Sequence, residues 1–389
     1  MNRETLSSAK LLLSRLIAFP TVSDTSNLDI IAFVEQYLAG LGVETLRLPN
    51  AAGDKAALLA TIGPRVDGGA VLSGHTDVVP AADQPWTGDP FAMREIDGRL
   101  YGRGACDMKG FGAAVLAMVP TFLAAGLRRP IHIVLSYDEE TTCLGSIDAI
   151  ARFGADQPRP GFVFVGEPTM MEVADAHKGV ATFMTRVRGV EAHSANPAGG
   201  ANAISAAAEI VTEIDRLARE CEAPEKQDSR FDPPYSTYHV GMIRGGTARN
   251  ILARECVLNW DFRGLPNATA PEAMRKVQDF IDRVALPRLR RYTPTPTIET
   301  VMEIDVPGLA ALADSLAATI ARRLARSNRT IAVSYATEAG NFQLAGLPTI
   351  VCGPGSIDQA HKPDEFLAVT QLEACLGFLT ELARELSEG

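Results

Sequence analysis

Up to about residue 178, the chain alternates short apolar runs rich in Val, Ile and Phe with a long helical stretch. The apolar runs occupy 69–75, 131–140 and 161–168, and the Ala-rich segment 108–126 lies between the first two. Buried parallel strands have near-continuous apolar sequences, and helices usually connect them. This part of the chain therefore predicts an α/β domain whose mostly parallel sheet is covered on both faces.

The pattern changes after Gly179, where strand and helix signals follow in a different order. An alternating strand from 180, helices at 199–220 and 271–285, and a strand pair around a Gly-rich turn at 235–264 are indicated. This order is typical of a small α+β unit with an antiparallel, ferredoxin-like sheet. Buried-strand patterns return later in the chain. We therefore predict a catalytic domain in two segments, 1–179 and 294–389, with a second domain inserted at 180–293.

Composition excludes some classes of partner and location. The net charge of −10 and the pI near 5.2 argue against a nucleic-acid partner, because phosphate binding needs a basic surface. The N-terminal "LLLSRLIAF" indicates an amphipathic helix, and no apolar run approaches the roughly 18–20 residues of a membrane span. The six cysteines are scattered without a CxxC pair, which favours reduced thiols. We expect a cytoplasmic protein with no membrane partner.

Side chains that bind metals lie just past the predicted strands or just before the long helix. They are His75, Asp107, Glu139, Glu140, Glu167 and His361. The carboxyl edge of an open parallel sheet is where sites form, so these segments are expected to converge. Each residue by itself also fits an ordinary role, such as a helix cap, a turn residue or an exposed loop group. Together, however, the carboxylates would repel each other, and a pair of divalent cations would remove that conflict.

Five motifs carry a family resemblance. "GHTDVVP", "YGRGACDMKG", "DEE", "GEPT" and "AHKG" occur in this order between residues 74 and 179. In order and spacing they resemble the di-zinc aminoacylase and deacylase family, which includes carboxypeptidase G-type enzymes, succinyl-diaminopimelate desuccinylases and acetylornithine deacetylases. The resemblance covers nearly the whole chain. The segments 337–342 and 353–367 look most like acetylornithine deacetylases, although 340–342 depart from that pattern.

The resemblance implies a dinuclear-metal amidohydrolase that uses metal-activated water. It assigns Asp107 as the bridging ligand, His75 and Glu167 to one metal, Glu140 and His361 to the other, Glu139 as general acid/base, and Asp77 as the support of His75. The implied cofactors are two divalent ions, with Zn²⁺ expected first and Co²⁺ or Mn²⁺ as alternatives. The expected reaction is hydrolysis of an N-acyl amino acid, most specifically N-acetyl-L-ornithine in arginine biosynthesis. Another deacylase, a desuccinylase or a carboxypeptidase of the family is the alternative, and a non-catalytic binding relative is a more distant one.

The resemblance also implies further groups around a small-molecule substrate. It makes His193 a donor to the oxyanion that acts across a homodimer of inserted domains, Arg263 the partner of the substrate α-carboxylate, and Asn250 a residue of the lid. Gly355 and Ser356 are expected to offer backbone donors, and Glu338 is expected to pair with a cationic amine. Without the resemblance, His193 fits a surface histidine and Asn250 fits a hairpin turn.

Overall fold

The protein is described here by a computed structural model, which covers residues 3–292 and 294–388. Two compact units account for the chain. One contains the residues up to Ala176, then Ala311–Ile331 and the residues from Thr337 onward. The other contains His177–Ala310 together with Ala332–Ala336.

Helices and strands follow one another along the chain in this order. The first part contains α1 Arg3–Ile17, α2 Leu28–Gly40, β1 Thr45–Pro49, β2 Ala56–Ile62, β3 Ala70–His75, β4 Arg94–Ile96, β5 Arg99–Tyr101, α3 Lys109–Ala124, β6 Ile131–Ser136, α4 Ile147–Arg152, β7 Phe162–Pro168 and β8 Ala174–His177. The middle contains β9 Gly179–Arg188, α5 Ala203–Cys221, β10 Thr237–Gly245, β11 Glu255–Gly264, α6 Ala270–Phe280, α7 Leu286–Leu289 and β12 Thr297–Val306. The last part contains α8 Leu316–Leu324, β13 Ile331–Val333, α9 Ala339–Leu344, β14 Thr349–Gly353, β15 Phe366–Ala368 and α10 Val369–Glu388.

The large sheet has the strand order β1-β2-β6-β3-β7-β14-β8-β13. Its centre is parallel, because β3 pairs in parallel with both β6 and β7, and β7 pairs in parallel with β14. Every residue of β3, β6 and β7 is buried, as their apolar sequences predict. The predicted fold class, a mostly parallel α/β sheet with a separate antiparallel α+β unit, is confirmed.

Helix α3 lies in the core of the first unit. Its residues from Lys109 to Val119 are all buried, because α1 and α10 pack against it. A helix enclosed in this way is apolar around its whole circumference. Strand β7 passes close to this helix at Gly166, where a Cβ would overlap the ring of Phe111. The close approach sets the position of the next residue, Glu167.

The second unit contains an antiparallel sheet with the order β10-β11-β9-β12. Burial alternates along β9 and β11, so one face of the sheet forms a core with α5 and α6. Strand β12 pairs with β9, so this sheet continues past residue 293, the predicted end of the insertion. The predicted limits at residues 1, 293 and 389 lie outside the described residues. The three-segment domain division stays a prediction.

Within the described part of the chain, no helix combines the length and apolarity needed to cross a membrane.

Candidate metal centre

Parallel strands of the first unit present the predicted metal ligands at their carboxyl ends. His75 is the last residue of β3, and Glu167 is the last but one of β7. Glu139 and Glu140 follow β6, and Asp107 precedes α3 by two residues. The last ligand, His361, lies in the loop between β14 and β15.

Asp107 lies between the two histidines. Its Oδ1 is 3.2 Å from Nε2 of His75, and its Oδ2 is 3.4 Å from Nε2 of His361. The two oxygens of one carboxylate therefore face two different imidazole nitrogens, an arrangement suited to a bridging ligand.

The remaining carboxylates divide between the same two histidines. Oε1 of Glu167 is 3.5 Å from Nε2 of His75, and Oε2 of Glu140 is 2.9 Å from Nε2 of His361. Oε2 of Glu139 is 3.9 Å from Nε2 of His75. Ligand atoms of His75, Glu139 and Glu167 lie within 4.8 Å of one another, as do those of His75, Asp107 and Glu140. Distance alone therefore does not separate Glu139 from the ligands.

The donor set fits divalent cations. Imidazole nitrogens and carboxylate oxygens are the ligands that Zn²⁺, Co²⁺ and Mn²⁺ accept. His75, Asp107 and Glu167 are 3%, 6% and 3% exposed. Oε1 of Glu167 is buried and, among the described residues, has no hydrogen-bond partner. A buried oxygen without a partner is costly, and a cation beside it would remove that cost.

Asp77 supports the centre in a way that its sequence position does not reveal. Its backbone carbonyl, rather than its carboxylate, lies 2.9 Å from Nδ1 of His75, while the carboxylate is 3.5 Å away. A carbonyl only accepts, so Nδ1 carries a proton and Nε2 faces the carboxylates. The carboxylate itself accepts the backbone N–H groups of Glu139 (3.2 Å) and Glu140 (3.3 Å), and the hydroxyl of Ser23 (2.7 Å). Asp77 thus holds both the histidine and the glutamate pair.

The glutamates of the centre hold protons more tightly than ordinary glutamates. Burial, followed by repulsion from Asp107, raises the pKa of Glu140 to about 7. Burial likewise raises the pKa of Glu139 and of Glu167 well above the ordinary value, with further repulsion from neighbouring carboxylates.

The same carboxylates also raise the pKa of the two histidines of the centre, because they stabilise the charged imidazolium. Burial alone would lower the pKa of His75, but hydrogen bonds to Asp107 and Asp77 raise it well above its usual range. Hydrogen bonds to Asp107 and Glu140 raise the pKa of His361 to about 10. Without a cation, these glutamates and histidines therefore favour their protonated forms.

Two residues that were predicted to contact the substrate, Glu338 and Gly355, already have hydrogen-bond partners within the protein. Glu338 is 1% exposed and accepts hydrogen bonds from the hydroxyls of Ser73 (2.5 Å) and Ser136 (2.7 Å). The N–H of Gly355 donates to Oε1 of Gln371 at 3.2 Å. This geometry gives no support to a substrate amine at Glu338 or a substrate carboxylate at Gly355, and both roles stay predictions.

Ser356 follows Gly355 and is half-buried. Its hydroxyl accepts the N–H of Asp358 at 3.2 Å, and its carbonyl accepts the thiol of Cys106 at 3.3 Å. Its role as a donor to the substrate stays a prediction.

The second unit carries the other three predicted substrate residues, all exposed. The backbones of His193 and Asn250 lie together, because His193 bridges to Ile251 and the N–H of Ser194 donates to the carbonyl of Asn250. Nδ1 of His193 accepts the N–H of Ala195 at 3.1 Å, which leaves Nε2 as the donor of the neutral ring. Arg263 lies on β11.

Sequence reasoning missed a buried pair beside the centre, Arg103 and Glu365, each 1% exposed. Arg103 lies inside the motif "YGRGACDMKG", and Glu365 lies inside the segment 353–367 that carried the family resemblance. Their position within these segments was the only signal in the sequence that Arg103 and Glu365 matter for the centre, because the sequence does not show whether a charged residue is buried.

The comparisons with known proteins agree with this geometry. Residues 71–385 match the profile described as Peptidase family M20/M25/M40. The chain belongs to this family. The resemblance read from the motifs is confirmed, and the chain is a hydrolase of the M20 type whose described residues include two groups suited to bind metal.

Relatives with assigned names are similar over most of their length. The chain is 36% identical to the acetylornithine deacetylase of Proteus mirabilis (strain HI4320) over 370 residues, 92% of both proteins. It is 37% identical to that of Yersinia pseudotuberculosis serotype O:1b (strain IP 31758) over 372 residues, again 92% of both.

Solved structures share the fold at lower identity. A tripeptidase from Staphylococcus aureus superposes with a TM-score of 0.76 at 18% identity, covering 99% of each chain. The YxeP protein of Bacillus subtilis, described as a dinuclear metal binding peptidase from the M20 family, has a TM-score of 0.69 at 17% identity and covers 100% of this chain and 99% of its own.

Replacing Asp77 by Asn should weaken metal binding. The amide keeps one acceptor oxygen but places an NH₂ group against a backbone N–H of the glutamate pair, so Glu139 and Glu140 lose part of their shared support, while the backbone carbonyl that faces His75 remains. We expect about a 10–100-fold lower metal affinity, measured by competition with a chromophoric chelator. Asp24→Asn, the same change at an exposed position, is the control. Equal affinities for both variants would show that Asp77 does not support the centre.

Metal binding should release protons. At pH 8, His361 keeps its proton because its pKa is about 10, and a metal can only bind the neutral nitrogen. As the pH falls towards 7, Glu140 adds a second proton that must be displaced, so metal affinity should fall. Phenol red in weakly buffered solution would measure about one or more protons per chain. His361→Ala should reduce the release, whereas His239→Ala, an exposed histidine, should not. Binding without release would contradict the prediction.

Proposed function

We propose that this chain is a dinuclear-metal deacetylase that hydrolyses N-acetyl-L-ornithine to L-ornithine and acetate, a step of arginine biosynthesis. The observation that supports this choice of substrate is the identity of 36% and 37% to two acetylornithine deacetylases, over 92% of both proteins in each comparison. The peptidase structures support the fold alone, because their identity to this chain is 18% or lower.

We assign two divalent ions to the centre, Zn²⁺ first, with Co²⁺ and Mn²⁺ as alternatives. His75 and Glu167 would hold one ion, and Glu140 and His361 would hold the other. Asp107 would bridge them, which its position between the two histidines supports. When bound, the ions would make water acidic enough to lose a proton near neutral pH and would polarise the acyl carbonyl.

Glu139 is left as the general acid/base. The family resemblance gives Glu139 this role, and the carboxylate of Asp77 holds its backbone N–H. Its raised pKa suits a group that takes a proton from water and keeps it. After attack on the acyl carbon gives a tetrahedral oxyanion, Glu139 would pass that proton to the amine, which cannot leave as an anion. The adjacent Cys143 does not compete as a nucleophile, because burial raises the pKa of its thiol well above the usual range.

The second unit would complete the reaction. We propose that the chain forms a homodimer through this unit and that His193 donates from Nε2 to the oxyanion, which its Nδ1 acceptor bond supports. Arg263 would bind the substrate α-carboxylate through its planar fork, and Asn250 would line the lid. A cytoplasmic location accords with six free cysteines.

Replacing Glu139 by Gln should abolish turnover while metal stays bound. An amide cannot accept and return the proton, so kcat should fall by about 10²–10⁴-fold. Metal content and kcat are both measured, with the exposed Glu44→Gln as the matched control. If E139Q keeps its activity, another residue moves the proton. If it loses a metal, Glu139 is a ligand.

A substrate panel tests the proposed reaction directly. We expect kcat/KM to be highest for N-acetyl-L-ornithine among N-acetyl amino acids, N-succinyl-diaminopimelate and dipeptides. We expect this preference because the enzyme would pair with both the charged side chain and the α-carboxylate of ornithine. A preference of more than about tenfold, or 1.4 kcal/mol, for any other member would overturn the ornithine assignment.

A further inference from the structure

The carboxylate of Glu365 binds the loop that carries Asp107. Its Oε1 accepts the backbone N–H groups of Cys106 at 2.8 Å and Asp107 at 3.0 Å, and its Oε2 accepts that of Gly104 at 3.0 Å. Three backbone amides of one loop, those of Gly104, Cys106 and Asp107, therefore point at one buried side chain. Because the amide of Asp107 itself takes part, the bond fixes the backbone from which the bridging carboxylate extends.

Arg103 provides the fourth hydrogen bond to this carboxylate and connects it to two other loops. Its Nη1 donates to Oε2 of Glu365 at 2.9 Å and to the carbonyl of Lys362 at 3.3 Å. Its Nη2 donates to the carbonyl of Pro80 at 3.2 Å. Pro80 follows the His75 segment and Lys362 is the neighbour of His361. One buried guanidinium thus joins three ligand-bearing segments.

Gln84 extends these contacts to His361. Its Oε1 accepts from Nη2 of Arg103 at 2.5 Å, and its Nε2 donates to the carbonyl of His361 at 3.0 Å. The backbone of His361 has a φ of 62°, a left-handed conformation that costs a non-glycine residue energy. Its side chain is 55% exposed, so packing does not hold it. The hydrogen bond from Gln84 therefore restrains the backbone of His361, whereas Glu140 and Asp107 contact its ring.

A carboxylate is required at position 365 for a chemical reason. It accepts four hydrogen bonds here, whereas the single amide oxygen of a glutamine offers two lone pairs. A buried ion pair often adds little stability compared with apolar packing of the same volume, so stability is a weak reason for a charged pair at this place. Its distinct effect is to fix geometry.

We propose that Arg103, Glu365 and Gln84 are positioning residues that hold the backbones of Asp107 and His361 in their ligating arrangement before metal binds. This inference rests on the proposed function, in which those two residues are metal ligands. It predicts that each substitution that removes one of these contacts lowers the affinity for a particular metal ion. Loss of Glu365 acts on Asp107 and so on both ions, whereas loss of Gln84 acts on the ion at His361.

Titration of the metal-free protein with CoCl₂ tests the proposal. Glu365→Gln should weaken both Co²⁺ equivalents by at least about tenfold and alter the visible Co²⁺ absorption. Gln84→Ala, on a partly exposed loop that does not endanger folding, should weaken one equivalent several-fold and leave the other within about twofold. In the metal-free E365Q variant, the amides of Cys106 and Asp107 should exchange with solvent faster.

The control is Leu379→Ala, which removes a fully buried side chain from α10 and destabilises the unit without touching these contacts. Wild-type affinities and spectra in both E365Q and Q84A would overturn the proposal, as would an equal loss in L379A. Should E365Q fail to fold, the selective loss in Q84A decides alone. If the wild-type protein binds fewer than two Co²⁺ ions, the proposed function fails instead.

Discussion

Mutual repulsion of buried carboxylates is the constraint on which the centre depends. Asp107, Glu139, Glu140 and Glu167 crowd around two histidines at a sheet edge where most of them are largely hidden from solvent. Burial and neighbouring charges raise the pKa of the three glutamates, so the centre keeps its protons until cations replace them. The fully buried strands β3, β6 and β7 lead into this edge and bring the cluster together.

Hydrogen bonding distinguishes Asp77 and Glu365 from the carboxylates that we propose as metal ligands. Asp77 and Glu365 both accept several backbone N–H groups, so their charge is satisfied by the protein and they fix the segments that donate to them. Oε1 of Glu167 has no such donor among the described residues. A bound cation would therefore satisfy an unpaired oxygen at Glu167, whereas the carboxylates of Asp77 and Glu365 already have hydrogen-bond donors. Buried carboxylates thus have two different tasks in this region.

Much of the fold followed from local patterns. The continuous apolar runs of β3, β6 and β7 predicted buried parallel strands, because both faces of such a strand are covered. Other features escaped prediction. The charge of Glu338 suggested a partner in the substrate, yet the structure buries it between Ser73 and Ser136 of adjacent strands. Strand β12 was not predicted, because it is mostly exposed and lacks the continuous apolar run of the buried strands.

The sequence by itself determined the main element types, the family and the residues proposed as metal ligands, because periodicity and motifs are local properties of the chain. Only the tertiary structure decided which ligands meet. Glu140 and His361 are 221 residues apart and come within 2.9 Å of each other. That pairing depends on strand order, and strand order arises from packing of whole strands and helices. For the same reason, only the folded chain showed that His75 is oriented by the carbonyl of Asp77 and that Glu365 holds Asp107.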